Sequence, residues 1–296
     1  MRYLRLFTNV TDREPRIYLL PNLMTAGNMV CGFWAILYIV GRISPDVGDH
    51  RYRYAIALIL LACVFDLLDG RLARISGQDS EFGREFDSLA DIVSFGLAPA
   101  LLVHDIVLRE FQNNLGGAGW LIACVYLVCG AMRLARFNCL AALPAHEKPG
   151  GFQGCPIPAA AGVIASLTLF LLWLNEGQNS IGPLRYILPF LMLLVSYLMV
   201  SKIEYPSFKA INVRTRRSFH WVLIAILLLV FTALNWQWMP MVLFVSYLAY
   251  GLVRPWISRR WQEEIEAEIE VIEEPEAVVE KISDTPREKS DPTASI

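Results

Sequence analysis

Long apolar stretches recur along this sequence and restrict the folds that are open to it. The hydrocarbon core of a bilayer is about 30 Å thick, so a helix needs roughly 20 apolar residues to cross it. Stretches of about that length are separated here by polar or Pro- and Gly-rich breaks. Because 55% of the 296 residues are hydrophobic and only 18% are charged, the chain is too apolar for an ordinary soluble domain. We therefore predict an all-α, polytopic transmembrane helical bundle.

The sequence predicts about eight spans. They cover residues 17–41, 53–75, 86–108, 118–140, 157–174, 184–201, 218–234 and 237–257. The last two could instead form one broken re-entrant pair, because residues 235–240 leave little room between them. The first span is too long for the core of a signal peptide and lacks a small-residue cleavage site, so we expect it to be retained. Lys and Arg concentrate in alternate connections, which predicts cytosolic termini in a bacterial inner membrane.

Four regions follow from these patterns. We predict a cytosolic N-terminal segment (1–16), a six-span core (17–201), a basic interfacial segment with two further spans (202–258) and an acidic, disordered cytosolic tail (259–296). The basic segment could contact anionic headgroups or simply anchor the chain by the positive-inside rule. The six cysteines have no metal-ligand or disulfide spacing, so we interpret them as small buried hydrophobes.

Four aspartates flank the connection between the second and third predicted spans. Asp66 and Asp69 are three residues apart, and Asp87 and Asp91 are four residues apart. Each pair therefore projects from one face of its helix. A short hairpin over residues 75–82 would bring all four carboxylates to the same depth, near the cytosolic surface.

Carboxylates near a bilayer are costly and are kept where they face a cavity and find partners. Ion pairs with Arg71, Arg74 and Arg84 are one alternative, and a proton relay or a cation transporter are others. A transporter is poorly supported, because no acidic ladder continues through the remaining spans. Mg²⁺ and Mn²⁺ prefer hard oxygen ligands and often bind beside substrate phosphates. We therefore favour a metal site that holds a phosphate-containing substrate.

The spacing of these residues also resembles the signature of a known family. The pattern is Asp66-x-x-Asp69-Gly70-x-x-Ala73-Arg74 followed by Gly83-x-x-x-Asp87-x-x-x-Asp91. It matches the CDP-alcohol phosphotransferase family at every defining position. The resemblance implies a six-helix catalytic core in the first six spans, a homodimer, and two divalent ions, Mg²⁺ or Mn²⁺, held by the four aspartates. It also implies CDP-lipid binding by Asp66, Gly70, Ala73, Arg74 and Gly83.

Asp91 is our candidate for the general base towards the acceptor hydroxyl. The assignment rests partly on the family pattern and partly on position, since Asp91 lies one helical turn beyond Asp87. A carboxylate within hydrogen-bond reach can accept the proton of an attacking alcohol. The alternative is that Asp91 is only another metal ligand.

Further segments are similar to the subgroup of this family that forms phosphatidylserine. They are residues 20–25, 94–99, 133–138 and 154–161. This resemblance implies CDP-diacylglycerol and L-serine as substrates, with glycerol 3-phosphate, inositol phosphate and choline as alternative acceptors. Cys155 stands where an aliphatic residue is expected in that subgroup, so the acceptor pocket is predicted to differ there.

Arg133, Arg136 and Asn138 are our candidates for binding the acceptor. Arg133 and Arg136 lie one turn apart at the cytosolic end of the fourth span. They could form a cationic fork for a carboxylate or a phosphate, or they could be snorkelling anchors. Asn138 could hydrogen-bond the acceptor or cap a helix.

Overall fold

Most of the described residues lie in helices. The computed structural model describes residues 19–43, 50–76, 80–109, 119–142, 154–175, 183–201, 203, 231–232 and 234–253, and none of these lies in a strand. The predicted all-α class is therefore confirmed. Residues 1–252 form one compact unit. Apart from Val253, the second unit, residues 253–296, lies outside the described residues, as does most of the basic segment.

Seven helices of more than ten residues lie within the described residues. They are α1 (Leu19–Ile39), α2 (His50–Ser76), α3 (Glu81–Leu108), α4 (Gly119–Ala142), α5 (Ile157–Leu174), α6 (Ile187–Val200) and α7 (Met239–Val253). Four of them, α1, α3, α4 and α5, are long and apolar enough to cross a membrane by length and composition. The first six helices correspond to the first six predicted spans and α7 to the eighth. The total of eight spans stays a prediction, because the seventh lies largely outside the described residues.

Small residues allow the first helices of the bundle to approach closely. Ala35 of α1 and Ala55 and Ala62 of α2 are fully buried, as expected where helix backbones pack in an apolar environment. The outward faces instead expose large apolar side chains such as Phe190 and Tyr197, each 70% accessible. That distribution suits a bundle whose exterior meets lipid.

Helix α3 begins earlier than the sequence predicts and is irregular along its length. It starts at Glu81, where the Ser80 hydroxyl accepts a hydrogen bond from the Gly83 amide at 3.0 Å. Such an N-cap satisfies an amide that the helix leaves unpaired. Two π-helical stretches follow, Ile92–Leu97 and His104–Leu108. The first of these begins directly after Asp91, and π-helical turns often occur at functional sites.

The cysteines only partly match their prediction. All six are free thiols, and Cys31 and Cys155 are buried. Cys124 and Cys139 are exposed on α4, so the interpretation of all six as buried was wrong. A small apolar thiol is tolerated equally on a surface that faces lipid.

Candidate functional site

Three of the four aspartates converge where α2 meets α3. Asp66, Asp69 and Asp87 each offer a carboxylate oxygen, and these oxygens lie within 4.8 Å of one another. Asp69 is only 5% exposed, and the other two are partly buried. Three carboxylates at this separation repel one another strongly in a medium of low dielectric constant. A bound divalent cation would relieve that repulsion, so this acidic group could hold a metal.

Asp91 lies outside this 4.8 Å group and has a partner of its own. It is 5% exposed, and the side-chain amide of Asn28 donates a hydrogen bond to its Oδ1 at 3.2 Å. Asp91 is therefore outside the group of carboxylates within 4.8 Å of one another, although it is close enough to interact electrostatically with all three.

Helix α1 supplies polar groups that the sequence analysis did not assign to the site. The Thr25 hydroxyl lies 3.0 Å from Asp69 Oδ2, and Asn28 follows one turn later, fully buried beside Asp91. One signal could have identified them. Asn22, Thr25 and Asn28 follow one another at intervals of three residues, so three polar side chains share one face of a largely apolar span.

A close approach of α1 and α3 holds Asn28 against Asp91. Gly32 lies directly against Ser94, where an added Cβ would overlap the serine. The Ser94 hydroxyl donates to the Asn28 carbonyl at 2.9 Å. Because Asn28 and Gly32 are one turn apart, as are Asp91 and Ser94, this contact determines the distance between the asparagine and the carboxylate.

The proposed CDP-lipid positions are described only in part. Gly70 is partly buried on α2, but the side chains of Ala73 and Arg74 lie outside the described part of the chain. A Cβ at Gly83 would stand 3.1 Å from Ser80 Oγ and 3.4 Å from Asn22 Oδ1. Gly83 therefore has a structural role, because a larger residue there would crowd the start of α3 against α1.

Arg133 is buried inside the bundle rather than extended to an interface. It is 8% exposed, and its guanidinium is close enough to Asp66 and Asp91 to interact with their charge. Its Cζ also lies 5.9 Å from the centre of the Phe137 ring. A snorkelling anchor would keep its charge in contact with water, so the anchor interpretation was wrong for Arg133. Arg136 is partly buried one turn further on.

Asn138 does not cap a helix, because α4 continues to Ala142. Its side-chain amide donates to Ser88 Oγ at 3.0 Å and to Glu85 Oε2 at 3.2 Å, which joins α4 to α3 at residues on either side of Asp87 in the sequence. The cap interpretation was therefore wrong. Glu85 and Ser88 were not assigned to the site from the sequence.

The turn before α5 packs against the end of α6. Gly154 has a φ of 85° and lies directly against the Met199 carbonyl, so a larger residue would be strained there and would collide. Backbone hydrogen bonds join Gly154 to Ile203 at 2.8 Å and Cys155 to Leu198 at 3.1 Å. The buried Cys155 is thereby held at the end of α6.

Several buried polar atoms around the aspartates lack a hydrogen-bond partner within the described residues. They are Asn22 Nδ2, Asn28 Oδ1, Asp87 Oδ1 and Asn138 Oδ1. Buried polar atoms are normally paired, and each exception requires an explanation. Carboxylate and amide oxygens are the ligand types that Mg²⁺ and Mn²⁺ accept, and polar substrates would pair with the remaining groups. The residues present therefore fit a divalent metal together with a polar substrate.

The ion-pair alternative receives no support from the described residues. Within them, neither Arg71 nor Arg84 forms an ion pair with any of the four aspartates, and Arg71 is exposed. The side chain of Arg74 is not among those described.

Comparisons with known proteins identify the relatives of this chain. Residues 18–200 match the model of the CDP-alcohol phosphatidyltransferase family. The chain is 35% identical over 245 residues to the CDP-diacylglycerol–serine O-phosphatidyltransferase of Helicobacter pylori, covering 81% of this chain and 92% of the relative. It is 33% identical over 202 residues to the enzyme of that name from Bacillus subtilis, covering 68% and 98%. Archaetidylserine synthase of Methanothermobacter thermautotrophicus is 36% identical over 193 residues, covering 63% and 69%.

Proposed function

This chain belongs to the CDP-alcohol phosphatidyltransferase family, and from that premise we propose that it transfers the phosphatidyl group of CDP-diacylglycerol to L-serine, releasing CMP. The observation that carries this proposal is the grouping of Asp66, Asp69 and Asp87 within 4.8 Å, with Asp91 and Arg133 buried beside them. The names of the relatives from Helicobacter pylori and Bacillus subtilis support serine as the acceptor.

The reaction exchanges one P–O bond for another. The serine hydroxyl oxygen forms a bond to the phosphorus that carries the diacylglycerol. The bond from that phosphorus to the oxygen it shares with CMP breaks, and CMP leaves with the electron pair. The hydroxyl proton must be transferred to a base as the new bond forms.

Asp66, Asp69 and Asp87 are the residues that would hold two divalent ions, Mg²⁺ or Mn²⁺. Bound there, the ions would neutralise the charge of the diphosphate and of the leaving CMP. Asp66 is also assigned to the CDP-lipid, together with residues that follow or precede the group along α2 and α3, namely Gly70, Ala73, Arg74 and Gly83. They would orient the diphosphate towards Asp91.

Asp91 is proposed as the base. Asn28 donates to Oδ1 and so orients the carboxylate, and Oδ2 is the oxygen proposed to accept the serine proton. The position of Asp91 outside the 4.8 Å group supports a role different from that of the other three. If Asp91 is instead a fourth metal ligand, raising the metal concentration will restore activity to Asp91→Asn.

Arg133 is proposed to bind the serine carboxylate, with Arg136 and Asn138 completing the acceptor pocket. A guanidinium matches a carboxylate with two parallel hydrogen bonds, and burial strengthens such a pair by excluding water. The amide of Asn138 is already joined to Ser88 and Glu85, which leaves its unpaired Oδ1 for the acceptor ammonium or hydroxyl.

An acceptor panel tests the function directly. Purified full-length protein in lipid nanodiscs would receive CDP-diacylglycerol, Mn²⁺ or Mg²⁺, and either L-serine, glycerol 3-phosphate, inositol phosphate or choline. We expect CMP release and a new phospholipid with serine only. CMP release with another acceptor and not with serine would contradict the proposed substrate while leaving the reaction class intact. Without CMP release under any condition, the reaction class itself would be wrong.

We also propose cytosolic termini, a bacterial inner-membrane location and a homodimer. The positive-inside distribution of Lys and Arg supports the orientation, and the family resemblance supports the dimer. Cysteine labelling from each side of sealed vesicles would test the position of the termini. Light scattering of the purified protein would test the homodimer. Labelling of an N-terminal cysteine from outside the cell, or a monomeric mass, would contradict them.

A further inference from the structure

Helix α7 lies beyond the residues that match the family yet packs into the same bundle. The family match covers residues 18–200, whereas α7 spans Met239–Val253. The Phe244 ring lies directly on Gly162 of α5, where any side chain would overlap it. Leu248 is only 6% exposed. A glycine that receives an aromatic ring is a close helix contact, so α7 is seated on the bundle.

From its contact with α5, helix α7 continues towards the candidate site. Tyr247 follows Phe244 by three residues, so both side chains lie on the same face, and both pack against the buried core. Phe244 contacts α5 at Gly162, while Tyr247 is close enough to Cys155, at the start of α5, to interact electrostatically with its thiol. The chain of α7 therefore runs towards the end of α5 from which the site is built.

At that end Tyr247 lies near the arginine that we assign to the acceptor. Ile157, two residues after Cys155, packs against Gly130, where a Cβ would stand 2.7 Å from its Cδ1. Gly130 lies one turn before Arg133 on α4, and the Arg133 guanidinium interacts electrostatically with Asp91, Asp66, Cys155 and Tyr247. The aspartates and the tyrosine are thus neighbours of the same buried cation.

We propose that Tyr247 is a positioning residue for the acceptor site, and that its phenol orients the Arg133 guanidinium towards the acceptor carboxylate. This inference rests on the proposed role of Arg133. A buried guanidinium with several oxygen neighbours can adopt more than one orientation, and a hydroxyl from α7 would favour one of them. Acceptor binding would then depend on a helix outside the residues that match the family.

The test removes only the hydroxyl. Tyr247→Phe keeps the ring and its packing, so we expect the KM for serine to rise about tenfold, as for the loss of one hydrogen bond to a charged group. The kcat and the KM for CDP-diacylglycerol should change by less than about twofold. The matched control is Tyr250→Phe on the same helix, because Tyr250 is 55% exposed and its hydroxyl should not influence either KM.

A double-mutant cycle with Arg133→Lys tests whether the two residues act together. If Tyr247 acts through Arg133, the combined variant should bind serine little worse than Arg133→Lys alone. The proposal would be overturned if the increase in the KM for serine in the combined variant were the product of the increases in the two single variants. It would also be overturned by a Tyr247→Phe variant that matches the wild type or that raises both KM values equally. Thermal unfolding of each variant would show whether packing was disturbed, and an unchanged midpoint is expected for Tyr247→Phe.

The two proposals fail in different ways. If wild-type protein uses another acceptor, the serine assignment is wrong, and the KM for that acceptor becomes the quantity that Tyr247→Phe should raise. If wild-type protein uses serine and Tyr247→Phe leaves its KM unchanged, only the role of Tyr247 is wrong.

Discussion

The two ends of the bundle use acidic residues in opposite ways. Near the end of α3, Asp105 accepts hydrogen bonds from Arg51 at 2.9 Å and from the Tyr52 hydroxyl at 2.7 Å. Arg109 is a third partner at 3.4 Å. Towards the start of α3, three carboxylates from α2 and α3 lie within 4.8 Å of one another, and their described contacts include a hydroxyl group of α1.

Asp105 is a structural carboxylate, whereas the clustered aspartates require an additional positively charged partner. At Asp105 the protein itself supplies the opposite charge, and the ion pair joins α2 to α3. At the aspartate cluster a single buried guanidinium, that of Arg133, interacts with several carboxylates, and Asp87 retains a buried oxygen without a partner among the described residues. Charge that a fold leaves uncompensated must be matched by a ligand. Exchanging residues at each end should therefore affect turnover at one and stability at the other.

The largest effect should come from Asp91→Asn. Removing the proposed base should lower kcat on the order of 10² to 10⁴-fold while lipid and metal binding persist. CMP release measured at several metal concentrations separates the alternatives. Recovery of activity at high metal would show that Asp91 holds metal, and the base assignment would then be withdrawn.

The next largest losses of turnover should come from replacing the clustered aspartates with Asn. Asp66→Asn, Asp69→Asn and Asp87→Asn each remove one anionic ligand, so we expect turnover to fall on the order of 10² to 10³-fold. Folding should survive, because each change relieves repulsion. Thermal unfolding beside CMP release checks both parts. Full turnover in saturating metal would exclude that residue from the ligand set, and activity in the presence of a chelator would exclude the metal site itself.

Arginine replacements at the two ends give a matched pair. Arg133→Ala should raise the KM for serine about 10- to 100-fold and leave that for CDP-diacylglycerol nearly unchanged. Arg51→Ala should leave both values as they are, because Arg51 interacts with Asp105 far from the site. Steady-state kinetics in each substrate measures this. Equal increases in both KM values for Arg133→Ala would identify it as structural.

Asp105→Asn should lower stability without changing chemistry. The side chain is only 19% exposed, and replacement weakens hydrogen bonds to Arg51 and Arg109 and to a tyrosine. We expect a loss of about 1–3 kcal/mol, visible as a fall of several degrees in the unfolding midpoint, with kcat unchanged at low temperature. A fall in kcat at a temperature where the variant remains folded would contradict the assignment of Asp105 to structure.

The smallest effect should come from Arg109→Ala. Its side chain is 71% exposed and lies 3.4 Å from Asp105, and such surface pairs contribute about 0–1 kcal/mol. The unfolding midpoint should hardly move. A shift as large as that of Asp105→Asn would mean that the third partner is as important as Arg51.

Much of this architecture was predictable because the relevant patterns are local. The apolar stretches that became α1, α3, α4 and α5 are long enough to cross a bilayer. The spacing of Asp66, Asp69, Asp87 and Asp91 places each pair on one face of a helix wherever that helix goes. A boundary such as Glu81 was predicted five residues late, because the Ser80 cap lies outside the apolar pattern.

The tertiary structure decided which residues that are distant in sequence become neighbours. Asn28 lies beside Asp91 because Gly32 and Ser94 allow α1 and α3 to touch, and no local pattern states which helices pack together. No local pattern predicts that Arg133 is buried either, because the same side chain on an isolated helix could extend to the interface. The position of Tyr247 near Arg133 likewise depends on how α7 packs. The sequence determined which helices carry charge. Only close packing between those helices decided which charges are compensated by the protein and which are left for a ligand.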